Sequence, residues 1–229
     1  MRRTNVLGLL VVLALFGCQI GFAGVLVSGD FKAGAPLFSG VESWAQTANP
    51  VFGAANIWNG LDVPYLPPAP GLTVAPFTNL LNSEGHATAV SFQFQDPVSA
   101  YNGTTSSHAT DLFSDFVYLN GGTLSWQIDG LVPDSTAYLY FYGTNNVDSG
   151  IRGFSMTVQG ANYAVSGYTG AYVAGIHVDG SGAINGTMTW TGGQASWSGF
   201  QLAGSAVPEP ATLLLLPAGV LLLALRRRF

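Results

Sequence analysis

The chain has 229 residues, of which 8% are charged, with seven Lys and Arg against twelve Asp and Glu. Five of the basic residues, Arg2, Arg3, Arg226, Arg227 and Arg228, lie in its two ends, leaving Lys32 and Arg152 against all twelve acids. Two isolated cations cannot build a phosphate-binding surface, which excludes nucleic acid as a partner and admits anionic sugars only through a bridging cation.

Met1 to Ala23 reads as a secretory signal peptide: two arginines, an apolar core from Val6 to Phe16, then Gly21-Phe22-Ala23 with a cut after Ala23. Leu15-Phe16-Gly17-Cys18 competes as a lipoprotein signal, and the bulky Phe16 argues against it. Cleavage after Ala23 removes Cys18, the one cysteine, so that the mature chain holds no disulfide, thiol nucleophile or thiolate metal site.

About 185 residues between the ends suit one domain, assigned here to residues 24–204. Few charges and abundant Gly, Ser, Thr and aromatics favour strands and turns over helices. Val25 to Phe31 opens as a strand, with Ser28-Gly29-Asp30 read as a turn at its end. Six prolines between Pro50 and Pro76 break the next stretch into short strands around Val51 to Trp58 and a long loop. Phe77 to Leu81 reads as one helical turn. From Thr88 the pattern is clear. Val90, Phe92 and Phe94 alternate with polar residues, as do Leu124, Trp126 and Ile128, and Phe154, Met156 and Val158. Tyr101 to Thr110 is a polar loop, and Asp115 to Leu119 a short strand. Ala137 to Tyr142 is apolar or aromatic on both faces, which fits a central strand. Tyr172 to Val178, the turn Asp179-Gly180-Ser181-Gly182 and Ile184 to Trp190 make the best hairpin, and Trp197 to Leu202 closes the domain. Eight or more short strands without an amphipathic helix predict an all-β, antiparallel β-sandwich.

No GxSxG elbow, HExxH or paired metal-ligand motif occurs. His86 and His108 fall in loops and His177 in a strand beside Asp179; all three read as surface groups. Glu42 and Glu84, the glutamates before the tail, fall in loop-like stretches, and nothing in the sequence sets them face to face as a glycosidase pair. Asp111, Asp115, Asp148 and Asp179 lie near loops and form a candidate set for a structural calcium, with solvated turn residues as the alternative. Trp44, Trp58, Tyr65, Tyr101 and Trp197 offer flat faces for sugar rings, Trp58 and Tyr65 foremost, while Trp126 and Trp190 read as core.

The tail, residues 205–229, carries Pro208-Glu209-Pro210, an apolar run from Leu213 to Leu225 and the terminal Arg226, Arg227 and Arg228. Residues 211–225 rise roughly 22 Å as a helix against a hydrocarbon core of about 30 Å, and Pro217 weakens the span further. A short anchor closed by arginines suits temporary retention in the membrane. This order and spacing resembles the PEP-CTERM sorting signal, which exosortases of Gram-negative bacteria recognise. The resemblance covers about the last 24 residues. It implies export, an inner-membrane precursor with hydrophobic helices at both ends, tail removal by exosortase, and a destination on the cell surface or in the matrix. Signal peptidase, the export machinery and exosortase are its implied partners. The cadence of SWQIDGLVPDSTAYLYFYG, YVAGIHVDGSGAINGTMTW and WSGFQL is similar to galactose-binding-like jelly rolls and transfers no ligand residue. The resulting expectation is a non-catalytic sandwich that binds or organises neutral extracellular polysaccharide through stacked aromatics; the alternative is a carbohydrate-active hydrolase, lyase or esterase. Ice binding would demand a regular threonine array, and Thr104, Thr105, Thr187 and Thr189 follow no sequence period.

Overall fold

The computed structural model describes residues 24–33, 52, 57–64, 72–102, 112, 115–119, 121–143, 153–166, 170–192 and 195–205. The signal peptide with Ala23, the sorting tail beyond Ser205, and Tyr65, Asp111 and Asp148 lie outside the described residues, as do Trp44, Glu42 and His108.

Among the described residues, twelve strands form two sheets. The first contains β1 (Gly24–Lys32), β2 (Asn59–Asp62), β4 (Ser99–Asn102), β5 (Asp115–Leu119), β7 (Thr136–Gly143), β10 (Gly170–His177) and β12 (Ala195–Ser205). The second contains β3 (Ser91–Phe94), β6 (Thr123–Asp129), β8 (Gly153–Val158), β9 (Ala161–Ser166) and β11 (Ile184–Gly192). The last eight strands pair in nested fashion: β5 with β12, β6 with β11, β7 with β10, β8 with β9. Alternate nested pairs fall in opposite sheets, which is the winding of a jelly roll. The sandwich is antiparallel except where β2 runs parallel to β1 along the first sheet's edge.

Alternation decides what each strand buries. Phe92 and Phe94 on β3, Leu124, Trp126 and Ile128 on β6, and Phe154, Met156 and Val158 on β8 all point between the sheets. There they meet Phe31, Phe141, Trp197 and Phe200 from the first sheet. Trp197 is the hub, with ring centroids 4.8 Å from Phe31, 5.7 Å from Phe92, 5.7 Å from Phe141 and 5.9 Å from Trp126. Strand β7 is buried on both faces, as its two-sided apolar sequence requires. Ala137, Leu139 and Phe141 face the core, while Tyr140 and Tyr142 face a second cluster with Leu26, Phe52, Trp58, Leu112 and Ala203.

Four expectations are corrected. Ser28-Gly29-Asp30 is not a strand-end turn; it lies inside β1, with Ser28 and Asp30 buried beneath the second cluster's side of the sheet. Phe77 to Leu81 forms no helical turn. Its backbone is spent on β3 instead, with Phe77 N–H donating to Phe92 C=O at 2.8 Å and Leu80 N–H to Val90 C=O at 3.1 Å. The expected short strands around residues 51–58 are corrected only at their end: neither Ile57 nor Trp58 is in a strand and β2 starts at Asn59, while residues 51 and 53–56 lie outside the described residues.

The hairpin over residues 172–190 is the fourth. The turn is real: Asp179 Oδ1 accepts the Ser181 and Ala183 amides, each at 2.9 Å, and the Ser181 hydroxyl at 2.6 Å. Its two strands nevertheless part into opposite sheets, His177 pairing with Thr136 on β7 and Ile184 with Ile128 on β6. The turn is a corner of the sandwich. It lies against the β6–β7 corner, where Leu131 N–H donates to Gly182 C=O at 3.1 Å and Val178 N–H to Ser135 C=O at 2.9 Å.

Candidate functional site

The outer face of the second sheet is built from the polar half of each alternating strand. Register sets these residues in rows that cross the strands. Gln93, Gln127 and Asn185 make one row. Ser125, Thr187, Thr157 and Asn162 make the next, across four strands. Thr123, Thr189, Ser155 and Ala164 make the third. All of these are half-buried or exposed. Side chains within the face hold one another: Gln127 Oε1 accepts from Gln93 at 2.8 Å and from Gln95 at 2.7 Å, and Gln127 Nε2 donates to Asp129 Oδ1 at 2.7 Å. Thr123 and Thr189 hydroxyls lie 3.3 Å apart, and Thr157 donates to Asn162 Oδ1 at 2.5 Å. Among the described residues, carboxylates occur only at the margins, as Asp129 at one end and Asp96, whose Oδ2 accepts the Ser125 amide at 2.7 Å, beside β3. Among the described residues the one lysine or arginine is Lys32, on the other sheet. The face therefore offers neutral donors and acceptors already fixed in position.

Burial holds the Asp129 carboxyl above the ordinary carboxylate value of 3.8; Asp179 pushes it the same way, and the Gln127 bond opposes both. Asp179 itself is held low, chiefly by the Ser181 hydroxyl and then by the Ala183 amide. The raised Asp129 value means that its stabilising contribution is present below 3.8 and lost as pH rises through the folded value. Asp129→Asn keeps an oxygen for Gln127 and removes the charge. It is expected to raise the melting temperature at neutral pH, with the advantage fading below pH 3.8. A variant that melts below wild type at neutral pH contradicts this.

A concavity of about 440 Å³ lies on the other sheet, between β2 and the extended run at 77–81, lined by Trp58, Asn59, Leu61, Phe77, Leu80 and Leu81. Asn59 ties its walls together, donating to Leu81 C=O at 2.9 Å and accepting the Leu81 amide at 2.7 Å. Trp58 does not serve this hollow as a platform. It is 4% exposed and packs edge-on against Tyr142 at 5.8 Å. Beneath it runs a buried polar ladder that the sequence did not disclose: Tyr142 donates to Gln201 Oε1 at 2.5 Å, and Gln201 donates to Ser28 Oγ at 3.1 Å. Asn59 extends this ladder to the edge strand through Ser28 C=O at 3.0 Å.

The other sequence candidates separate. Trp197, expected to offer a flat face, is fully buried; Trp190, expected in the core, is 39% exposed; Trp126 is core as expected. Tyr101 lies in β4 rather than in a loop. The two described members of the calcium set do not meet. Asp115 is a buried strand residue whose Oδ2 accepts the Ala33 amide at 2.5 Å, at the end of the first sheet opposite the corner that Asp179 closes. No group of three or more His, Cys, Asp or Glu side chains converges among the described residues. His86 pairs with Glu84 at 3.4 Å and His177 with Asp134 at 3.6 Å, both on the surface, where such pairs contribute little.

No protein-family model and no curated protein matches the chain. Solved structures do resemble it. The ANX2 ectodomain from Arabidopsis thaliana aligns with a TM-score of 0.35 and 13% identity over 43% of this chain, and the match spans only 35% of that ectodomain. The CBM35 from Cellvibrio japonicus Abf62 aligns with a TM-score of 0.32 and 20% identity over 50% of this chain and 94% of its own. TmCBM61, solved in complex with β-1,4-galactotriose, aligns with a TM-score of 0.28 and 16% identity over 52% of this chain and 88% of its own.

Proposed function

We propose that this chain is an exported envelope protein whose β-sandwich binds neutral extracellular polysaccharide and whose tail is removed by exosortase. The observation that carries the binding reading is the outer face of the second sheet. It holds preset amide and hydroxyl groups and, among the described residues, keeps carboxylates to its margins and has no cation. A polyhydroxylated neutral chain supplies the matching donors and acceptors. An anionic chain meets a domain with eleven acids and two basic residues, Lys32 and Arg152, and is repelled. The sorting part rests on Pro208-Glu209-Pro210, the apolar run and the three arginines.

Affinity electrophoresis of the full chain in detergent tests the binding. Gels containing soluble neutral polysaccharide should retard it, and gels containing polyuronate should not. Unretarded migration in every neutral gel, or release of reducing sugar by the protein, would count against the reading. Sorting is tested separately: alanines at residues 208–210 should leave export intact and accumulate the uncut precursor at the inner membrane. Normal trimming of that variant on a blot would remove the exosortase step.

A further inference from the structure

The rows on the second sheet have a spacing as well as a chemistry. Neighbouring strands lie about 4.8 Å apart, and rows two residues apart along a strand are separated by about 6.8 Å. The longest row, Ser125, Thr187, Thr157 and Asn162, thus presents one small polar group per strand on four consecutive strands. The third row repeats this with Thr123, Thr189 and Ser155, one step further along the strands. Equatorially 1,4-linked pyranoses form extended ribbons that advance by close to one strand spacing per ring. Axially linked glucans curl into helices and lose that match after one or two rings. Building on the polysaccharide-binding reading, we infer that this face takes a single extended, β-1,4-linked neutral glycan laid across the strands, one ring per strand, between the rows headed by Ser125 and Thr123.

Twist fixes which physical form of the ligand fits. Adjacent strands rotate by about 20–25° relative to one another, so four strands turn through roughly 60–75°. An isolated chain twists to follow such a surface; a flat crystal face cannot. This favours soluble chains over crystalline fibres. It also disfavours an ice lattice, although Thr123, Thr157, Thr187 and Thr189 do gather on one face despite lacking a sequence period. The glutamines at the β3 edge add a wall: Gln127, clamped by Gln93 and Gln95, places its amide beside the row headed by Ser125.

The test uses affinity gels loaded with hydroxyethyl cellulose or soluble β-1,4-mannan, and parallel gels with dextran or pullulan. Wild-type full chain should be retarded by the β-1,4-linked polymers and not by the α-linked ones. Thr187→Arg, at the centre of the longest row, should weaken retardation by about tenfold or more. Gln127→Ala and Thr157→Ala, which add no bulk, should weaken it severalfold and guard against misfolding of the arginine variant. Thr73→Arg, on an exposed segment that Leu72 ties to Val98 beside β4 of the first sheet, should change nothing. Equal retardation of wild type and all three face variants would overturn the site while leaving polysaccharide binding intact. Retardation by the α-linked polymers alone would overturn the chain shape. No retardation in any gel would remove both the inference and the reading on which it rests.

Discussion

Trp197→Ala is expected to destabilise the protein by about 3–5 kcal/mol, the range for emptying a fully buried tryptophan site. Its ring touches aromatics from both sheets, Phe31 and Phe141 on one and Phe92, Phe94 and Trp126 on the other. Its Nε1 donates to Gly199 C=O at 2.8 Å, so truncation also strands a buried carbonyl. Surrounding rings are rigid and cannot collapse into the space, which places the cost toward the upper end. Urea melts of wild type and variant measure it, and a loss under about 1 kcal/mol would show that Trp197 is not the hub. Trp190→Ala, at a 39% exposed site, is expected to cost far less.

The second large effect is at Gly130, where β6 leaves one sheet for the other. Its φ is +83°, and a Cβ there would press on the Ala89 carbonyl, 2.5 Å from the carbon and closer still to the oxygen. Left-handed backbone strain and the enforced shift cost about 1–3 kcal/mol each. Gly130→Ala is therefore expected to lose about 4 kcal/mol and to loosen the adjoining Asp179 corner. Gly160→Ala separates the two causes. Gly160 has nearly the same φ, +80°, with nothing within 4 Å of its added Cβ, so only the backbone penalty applies. Equal melting temperatures for the two variants would show that the Ala89 contact is relieved without cost.

Strand identity was legible wherever one face was wet. Phe92 and Phe94, Leu124 to Ile128 and Phe154 to Val158 alternate because a half-buried strand has a period of two, and their burial follows. Partner choice was not legible. The Asp179 turn has hairpin chemistry, but turn chemistry sets only a reversal of direction. Whether the strands then pair or part is decided by β6 and β7, which lie far away in sequence. Ser28 and Asp30 looked like turn residues because polar side chains usually are wet. Phe52, Trp58 and Leu112 cover that face of the first sheet, and their contact with it is purely tertiary. The same cover removed Trp58 from the sugar-binding candidates. The polar face could be read strand by strand as a solvent side, yet only register sets Thr187 between Ser125 and Thr157. Sequence reasoning looked for aromatic platforms in loops and passed over the amides and hydroxyls of the sheet.

Threonine-methyl NMR of the detergent-solubilised full chain, titrated with a soluble β-1,4-linked neutral glycan, tests the central claim most directly. Saturable shifts are expected at Thr123, Thr157, Thr187 and Thr189, which share the outer face of the second sheet. Thr73 beside the Leu72–Val98 bridge, Thr78 in the concavity by Trp58, buried Thr88 and Thr136 on β7 should stay fixed. Saturable shifts confined to that second group, or none at all up to the solubility limit of the glycan, would contradict it.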